Sequence, residues 1–275
     1  MELIESPLFG RNVFDMRTFC VVTGASKGYG KCIVDHFCKL LAAGSAMVLI
    51  ARSESLLLDV KNQLEAVRSE ILVDIKATDL SKGDEDTFKG ILLNSLKNIG
   101  KAVEDFDQAV IVHNAASMGD ITKKMTEIGS SGNIRKYFDL NVTSVISLNH
   151  EFFKLFNRKT VKQVVVINVT SICAIQPFKT WSLYCSGKAC RDMLFRTMAI
   201  EEPDIRVLNW APGPLDTDMQ VLARSQTGDT DLKVMFEDMH NTGNLLPCEV
   251  SVKKLVELLQ ENTWDTGSHI DFYDI

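Results

Sequence analysis

The segment FCVVTGASKGYGKCIVDHFCKLLAAG, residues 19–44, decides the fold class of this chain. It begins with a short apolar, β-branched run, which predicts a buried strand. Between positions 33 and 41 the apolar residues recur at helical spacing, and Gly44 is a credible C-terminal cap for that helix. The segment therefore predicts a strand, a tight turn and an α-helix.

Three glycines in the turn, Gly24, Gly28 and Gly30, have the spacing G-x-x-x-G-x-G. Glycine accepts positive φ and lets the backbone approach a ligand closely. The N-terminal N–H groups of the following helix would then point at a pyrophosphate. A tight turn without a ligand is the alternative, but between a strand and a helix the pattern favours dinucleotide binding.

The strand and helix patterns alternate along the rest of the chain. AMVLIA, ILVDIKA, QAVIVH, QVVVIN and IRVLNW are apolar almost throughout, which implies burial on both faces. We therefore predict an α/β fold: a single-domain, Rossmann-type, doubly wound parallel sheet with helices on both faces. Residues 1–16 would be an N-terminal extension and residues 17–275 the domain. In such sheets ligands bind beyond the carboxyl ends of the strands.

Net charge, cysteine spacing and hydropathy limit the kinds of partner that this protein can have. The net charge of −6 argues against nucleic acid or an anionic membrane as the main partner. The seven cysteines are odd in number and show no C-x-x-C spacing, which suggests neither a disulfide framework nor a metal site. The N-terminus does not resemble a signal peptide, and no apolar stretch is long enough to span a membrane. We expect a soluble, cytoplasmic protein that acts on a small molecule.

Residues after the second, third and fourth strands suggest the cofactor. Arg52, at the end of the second strand, could pair with a 2′-phosphate, although a solvated surface arginine is equally plausible. Lys27 offers a second positive charge, so NADP is favoured over NAD. Asp79 could accept a hydrogen bond from the adenine amino group. Asn114 could touch the cofactor or tie neighbouring loops together.

Tyr184 and Lys188 are four positions apart, so they would share one face of a helix. A nearby ammonium favours a phenolate, and Lys188 should therefore lower the pKa of Tyr184 and make it a usable acid. Ser171, after the fifth strand, could hold a carbonyl oxygen by hydrogen bonding. The alternative makes Tyr184 a core residue and Lys188 a solvated one; the glycine turn upstream weighs against that alternative.

These motifs together resemble the short-chain dehydrogenase/reductase family. The resemblance lies in TGASKGYG, NAA, Asn141 within LNVTS, Ser171 and YCSGK. Longer segments, including SICAIQPFKTWSLYCSGKACRDMLF, EEPDIRVLNWAPGPLDTDMQ and GSHIDFYD, resemble the pterin-reducing members of that family. The likeness extends from about Arg17 to the C-terminus.

The resemblance implies a role for each matching residue. Tyr184 would be the proton donor, Ser171 would orient the carbonyl, Lys188 would bind the nicotinamide ribose, and Asn141 would support a water relay. The Asp271 carboxylate would hold the pterin by accepting hydrogen bonds from the 2-amino group and the adjacent ring N–H of the pterin. The remaining substrate contacts would be Ile172 and Gly213. The NADP(H) contacts would be Gly24, Ala25, Ser26, Lys27, Gly28, Tyr29, Gly30, Arg52, Ser53, Asp79, Leu80, Asn114, Lys188, Leu215, Asp216, Thr217, Asp218, Met219 and Gln220.

Two positions depart from the family pattern. Ala116 replaces the usual glycine of N-A-G, and it would strain the loop if that position needs positive φ. His113 replaces the usual first asparagine and is expected to be a core residue with its hydrogen bonds satisfied. Two rival functions stay open: a general carbonyl reductase with the same chemistry, and a non-catalytic NADPH-binding regulator. The family also implies a homodimer.

Overall fold

A seven-stranded parallel sheet runs through the protein, for which the computed structural model describes residues 9–275. The strand order is β3-β2-β1-β4-β5-β6-β7, and every neighbouring pair is parallel. The strands are β1 (Thr18–Thr23), β2 (Ala46–Ala51), β3 (Leu72–Ala77), β4 (Gln108–His113), β5 (Gln163–Val169), β6 (Arg206–Ala211) and β7 (His269–Asp271). The helices are α1 (Gly28–Leu40), α2 (Glu54–Val67), α3 (Glu85–Asn98), α4 (Ser131–Phe138), α5 (Ser144–Leu155), α6 (Ser182–Glu201), α7 (Asp218–Gln226), α8 (Thr230–Asn241) and α9 (Cys248–Glu261).

Helices cover both faces of the sheet. In β1, Cys20 and Val22 pack into the layer formed with α1, α2 and α9, while Phe19 and Val21 pack into the layer with α3, α5 and α6. Five of the strands, β1, β2, β4, β5 and β6, are buried at every position. Burial on both faces explains why these strands read as continuous apolar runs. The predicted doubly wound fold is confirmed.

The first described residues pack against this core. Val13 and Phe14 are buried, and the Phe14 ring meets the Phe37 ring edge-on at a centroid distance of 5.2 Å. The side chain of Gln108 donates a hydrogen bond to the Val13 carbonyl at 2.7 Å. Residues 13–16 thus pack with the domain, whereas the sequence predicts that the domain begins at residue 17. Residues 1–8 of the predicted extension lie outside the described residues.

The direction in which successive strands are added to the sheet reverses between β1 and β4. From β1 the sheet continues to β2 and β3 on one side and to β4 and the later strands on the other. This is the topological switch point at which open α/β sheets bind ligands. No helix in the described part of the chain is long and apolar enough to cross a membrane.

Candidate active site

The glycine turn after β1 adopts a conformation that needs its glycines. Gly24 and Gly28 have φ angles of +68° and +55°. A Cβ atom on Gly30 would overlap the Gly24 carbonyl oxygen and the Asn114 Nδ2 atom. Side chains at these positions would therefore force the turn away from α1 and from the loop after β4. Of the other predicted cradle residues, Ala25 is buried and Ser26 is half-buried.

The start of α1 fits a phosphate group. Lys27 occupies the N-cap position, and no side chain caps the first N–H groups of the helix. Such groups carry partial positive charge and can bind an anion. The Lys27 ammonium lies 2.5 Å from Asp218 Oδ2, which links the glycine turn to the start of α7. Both side chains are largely exposed, so this ion pair contributes little to stability.

Arg52 is positioned to provide a cation beside the turn. It is exposed, and no hydrogen bond or ion pair is formed by it within residues 9–275. Ser53 caps α2 by accepting the Leu56 N–H. Asp79 Oδ1 accepts hydrogen bonds from the backbone N–H and hydroxyl of Ser81, at 3.1 and 2.7 Å. These bonds, with smaller help from Lys82 and Arg52, lower the Asp79 pKa.

The loop after β4 braces the glycine turn. Asn114 Nδ2 donates to the carbonyls of Thr23 and Gly24 at 3.0 and 3.3 Å, so this asparagine does tie the two loops together. Outside glycine, positive φ occurs in the described chain only at Thr180 and Asn262. Ala116 therefore has an ordinary backbone conformation, and replacing the family's glycine with alanine at this position does not strain the loop.

His113 is buried in the apolar layer below α6. Its Nε2 atom lies 3.2 Å from Asn149 Oδ1, and its ring stacks on Phe195. Burial, assisted by the Arg191 charge, lowers the His113 pKa to about 3. The ring is therefore neutral at physiological pH. Its Nδ1 atom has no hydrogen-bond partner. The prediction that His113 is a core residue is therefore right, and the prediction that all its hydrogen bonds are satisfied is wrong.

Tyr184 and Lys188 lie on the buried face of α6, and Ser171 lies beyond the end of β5. The Lys188 ammonium donates to the Val169 carbonyl at 2.7 Å and lies 5.6 Å from the centre of the Tyr184 ring. The Tyr184 hydroxyl lies 3.8 Å from Met219 Sδ and also interacts with the Ser171 hydroxyl. The structure therefore brings together Ser171, Tyr184 and Lys188, the three residues that the sequence predicts to take part in carbonyl reduction.

The predicted direction of the Tyr184 pKa shift is wrong. Burial raises the pKa of Tyr184, while the hydrogen bond from Ser171 and the charge of Arg191 oppose that rise. Burial, and then repulsion by Arg191, lowers the pKa of Lys188 well below its usual range. Because Lys188 is itself desolvated, its charge is disfavoured and it is not among the groups that lower the Tyr184 pKa.

Asn141 lies in a π-helical turn, Asp139–Thr143, between α4 and α5. Its Nδ2 atom donates to the Tyr137 carbonyl at 2.8 Å, and its Oδ1 atom accepts the Ser117 N–H at 2.9 Å. Single π turns within helices often occur at functional sites. The Asn141 side chain thus braces the turn against the loop after β4, and its part in a water relay stays a prediction.

The segment after β6 folds over the glycine turn. Gly213 has a φ of +79°, and Leu215 forms a parallel bridge with Leu246. A Cβ atom added to Gly28 would lie 3.7 Å from the Thr217 side chain. Asp216 is exposed and Ile172 is half-buried near Tyr184. These positions agree with a site at this edge of the sheet.

Two predicted cofactor residues direct their side chains elsewhere. The Tyr29 hydroxyl accepts from Trp210 Nε1 at 2.7 Å and is 3.1 Å from Ser251 Oγ in the core. Gln220 Nε2 donates to the Phe236 carbonyl at 3.1 Å. Since hydrogen bonds hold both side chains in the interior, their predicted contacts with the cofactor would have to come from the backbone.

Asp271 ends β7, opposite Ala211 at the end of β6. Its Oδ1 atom accepts the Tyr273 N–H at 3.0 Å, while Asp274 Oδ2 accepts the Asp271 N–H at 2.8 Å. This capping box holds the carboxylate half-exposed at the carboxyl edge of the sheet. The aspartate therefore lies at the same edge as Ser171, and its contact with a pterin stays a prediction.

The sequence reasoning missed Arg191 and the aromatic group next to Tyr184. Trp181 meets Tyr184 edge-on at 5.7 Å and stacks on Phe236 of α8 at 5.2 Å. Arg191 is fully buried and donates to carbonyl and amide oxygens beneath α6. A charged residue seven positions after Tyr184, on the same helical face, was the signal that could have revealed it.

Comparison with known proteins identifies the family. The family model described as short chain dehydrogenase matches residues 18–228. The chain belongs to the short-chain dehydrogenase family. The predicted oxidoreductase activity and the choice of NADP(H) agree with this membership.

Individual members of the family show how similar this chain is in sequence and in structure. The chain is 39% identical to the sepiapterin reductase of Mus musculus over 257 residues, which covers 93% of this chain and 96% of that protein. It is 29% identical to the benzil reductase of Bacillus subtilis over 251 residues, covering 88% and 93%. A short-chain dehydrogenase/reductase structure from Saccharomyces cerevisiae has a TM-score of 0.78 at 26% identity, covering 94% and 96% of the two chains.

Replacing Gly30 with alanine tests the fit of the glycine turn. We expect Gly30→Ala to weaken NADPH binding at least tenfold, because the new methyl group overlaps Gly24 and Asn114. Gly132→Ala is the control, since a Cβ atom there meets nothing within 4 Å. NADPH titration followed by fluorescence measures both affinities. Equal affinities in the two variants would contradict the role of Gly30.

Proposed function

We propose that this protein is an NADPH-dependent reductase of pterin side-chain carbonyls. It would reduce sepiapterin to dihydrobiopterin and 6-pyruvoyl-tetrahydropterin to tetrahydrobiopterin, the final step of tetrahydrobiopterin biosynthesis. The observation that carries the proposal is 39% identity to a sepiapterin reductase along nearly the whole of both chains. The grouping of Tyr184, Lys188 and Ser171 at the carboxyl edge of the sheet supports it.

The residues around the glycine turn suit NADPH. The uncapped start of α1 suits its pyrophosphate, and Arg52 suits its 2′-phosphate through bidentate hydrogen bonds. Lys188 would hold the nicotinamide ribose. When bound, NADPH supplies the hydride that the carbonyl carbon accepts.

The remaining chemistry belongs to the chain's own residues. Ser171 donates a hydrogen bond to the carbonyl oxygen and thereby orients the ketone. Tyr184 transfers its hydroxyl proton to that oxygen as the alkoxide develops. Burial keeps Tyr184 protonated at neutral pH, so the proton is available. The apolar contact of Trp181 with Tyr184 helps exclude water from the phenol.

A general carbonyl reductase is the second candidate. The similarity to a benzil reductase over 88% of this chain favours it, because the same proton donor serves any ketone. The two candidates differ at Asp271, since only a pterin presents two parallel N–H donors to a carboxylate. A non-catalytic NADPH-binding regulator is the third candidate, and measured turnover of a carbonyl substrate would exclude it.

The direct test is the loss of NADPH absorbance after sepiapterin is added to purified protein. We expect rapid oxidation with NADPH and slow oxidation with NADH, because Arg52 favours the 2′-phosphate. Tyr184→Phe should lower kcat at least 100-fold while retaining NADPH affinity, since it removes only the proton donor. Tyr273→Phe, at an exposed tyrosine, is the control. Unchanged turnover in Tyr184→Phe would refute the assigned donor.

Replacing Asp271 with asparagine separates the pterin reductase from the general carbonyl reductase. We expect Asp271→Asn to lower kcat/KM for sepiapterin by about 100-fold, because a charge-assisted pair of hydrogen bonds is lost. Turnover of a simple diketone should hardly change. Asp274→Asn controls for damage to the capping box that the two carboxylates share. Equal losses for both substrates would exclude Asp271 as a pterin anchor.

We also propose a homodimer formed through α5 and α6, in the cytoplasm. Ile146 on α5 and Met193 and Ile200 on α6 are 48%, 60% and 83% exposed, and the last two lie seven positions apart on one face. All seven cysteines are free thiols, as a reducing compartment permits.

A charged residue in this surface should break the dimer. We expect the wild-type protein to sediment at twice the monomer mass and Met193→Glu to sediment as a monomer, because the glutamate would be buried without a partner. Val234→Glu, at a similarly exposed position on α8, should leave the dimer intact. A monomer mass for the wild type would exclude the proposal.

A further inference from the structure

Four polar side chains form a row across the interior of the sheet. His113, Asn168, Asn209 and His269 are paired in register on β4, β5, β6 and β7. Asn168 Nδ2 donates to Asn209 Oδ1 at 2.8 Å, and Asn209 Nδ2 donates to the Gly267 carbonyl at 3.1 Å. Residues in register on neighbouring parallel strands point to the same face. Here that face lies under α6.

Arg191 of α6 completes this row with a buried positive charge. Its Nε atom donates to Asn168 Oδ1 at 2.9 Å, and its terminal nitrogens donate to the carbonyls of Ala115, at 3.2 Å, and His113. The side chain is 0% exposed, and none of the described acidic residues forms an ion pair with it. The neighbouring Asp192 instead binds Arg196 and His269.

A buried guanidinium without a carboxylate is costly to maintain. Its desolvation is offset only by hydrogen bonds to neutral oxygens, and an apolar side chain of similar volume would avoid the penalty. Packing alone therefore does not account for Arg191. The arginine does connect elements that an apolar side chain could not connect, because its fork reaches three oxygens on two elements at once.

The connected elements are those that form the candidate active site. Arg191 lies three positions after Lys188 and seven after Tyr184, so all three share the buried face of α6. Its two carbonyl partners flank Asn114, which in turn donates to the Gly24 carbonyl. Hydrogen bonds from Arg191 and from Asn114, joined by the backbone of residues 113–115, thus connect the helix of the proton donor to the glycine turn.

We propose that Arg191 is a positioning residue that holds the Tyr184 helix in register with the glycine turn. It touches neither the carbonyl nor the reacting atoms, and it acts through α6 and the loop around Asn114. The proposal deepens the proposed reductase function and rests on it. It does not depend on which carbonyl compound is the substrate.

Electrostatics gives Arg191 a second effect on the same residues. Its charge lowers the pKa of Lys188 and opposes the rise in the Tyr184 pKa. The other titratable groups that face Tyr184 or Lys188 are Tyr137 from α4 and Cys173 from the turn after β5. Below Arg191 are the neutral His113 ring and the Asp192–His269 pair. Removing the arginine charge should therefore raise the pKa of both Tyr184 and Lys188.

The test compares two buried arginines at opposite ends of the sheet. Arg206 begins β6, is 4% exposed and also donates to neutral oxygens, those of Asn262 and Trp264. Arg191→Met and Arg206→Met each remove one buried guanidinium, and Arg191→Lys replaces the guanidinium with a single buried amine. The assay is NADPH-dependent turnover of sepiapterin and of a simple diketone, with kcat, KM, the pH profile, NADPH affinity and the unfolding temperature recorded.

We expect Arg191→Met to lower kcat about 100-fold with KM for the carbonyl within about twofold, as small misplacements of a reacting group do. Its alkaline limb should move to higher pH, because loss of the Arg191 charge raises the pKa of Lys188, which burial and that charge hold well below its usual range. Arg191→Lys should recover only part of kcat and of the pH profile, because a buried ammonium gives up its proton more readily than a guanidinium and lacks its planar fork. Arg206→Met should lower the unfolding temperature while leaving kcat and the pH profile unchanged.

The proposal would be overturned if Arg191→Met kept wild-type kcat and pH profile, or if both methionine variants lost kcat equally. Either result would mean that Arg191 contributes to the stability of the core and has no separate effect on catalysis. If the wild type reduced a diketone but not sepiapterin, the pterin assignment would fail. The diketone kinetics would still test Arg191.

Discussion

The parallel pairing of the strands is the constraint on which the rest of the structure depends. Because all seven strands point the same way, their carboxyl ends meet at one edge, and every loop that follows a strand begins there. The glycine turn, the Asn114 loop, Ser171 and Asp271 come from distant parts of the chain and meet there for this reason. The two apolar layers on the sheet hold these loops on a rigid base.

Burial shifts the pKa values of the two titratable residues proposed to act at this edge of the sheet. The apolar surroundings of Tyr184 raise its pKa, and the same surroundings discourage the charge of Lys188. A lysine one helical turn from a tyrosine is an effective activator only where the lysine keeps its charge. In this protein the persistent positive charge under α6 is that of Arg191, whose guanidinium loses its proton far less readily than an ammonium.

The polar row beneath α6 shows how a doubly wound sheet can hold polar groups in its interior. Each of the strands β4 to β7 contributes one side chain to the row, in which Asn168 bonds both Asn209 and Arg191. The row ends at the Asp192–His269 pair, and His269 lies on β7, the strand that also carries Asp271. Buried networks of this kind favour one arrangement over alternatives because every misplacement leaves a polar group unpaired.

Local patterns accounted for the fold class and for much of the candidate site. Apolar runs on six strands, helical spacing and the glycine turn each reflect short-range rules, so the elements and their alternation could be read from the sequence. Ser171, Tyr184 and Lys188 could be found because each lies at a short, fixed distance from a strand end or from another member of the group. The positive φ angles of Gly24 and Gly28 also follow from a local steric rule.

Tertiary structure alone decided the properties that depend on the surroundings of a side chain. Tyr29 and Gln220 point into the interior because Trp210, Ser251 and Phe236 offer partners there, and those partners are far away in the sequence. Ala116 is unstrained because the Asn114 loop closes without positive φ. The pKa of Tyr184 and the role of Arg191 depend on burial and on charges brought together by folding. Spacing along the chain cannot report desolvation, which only the packed sheet and helices produce.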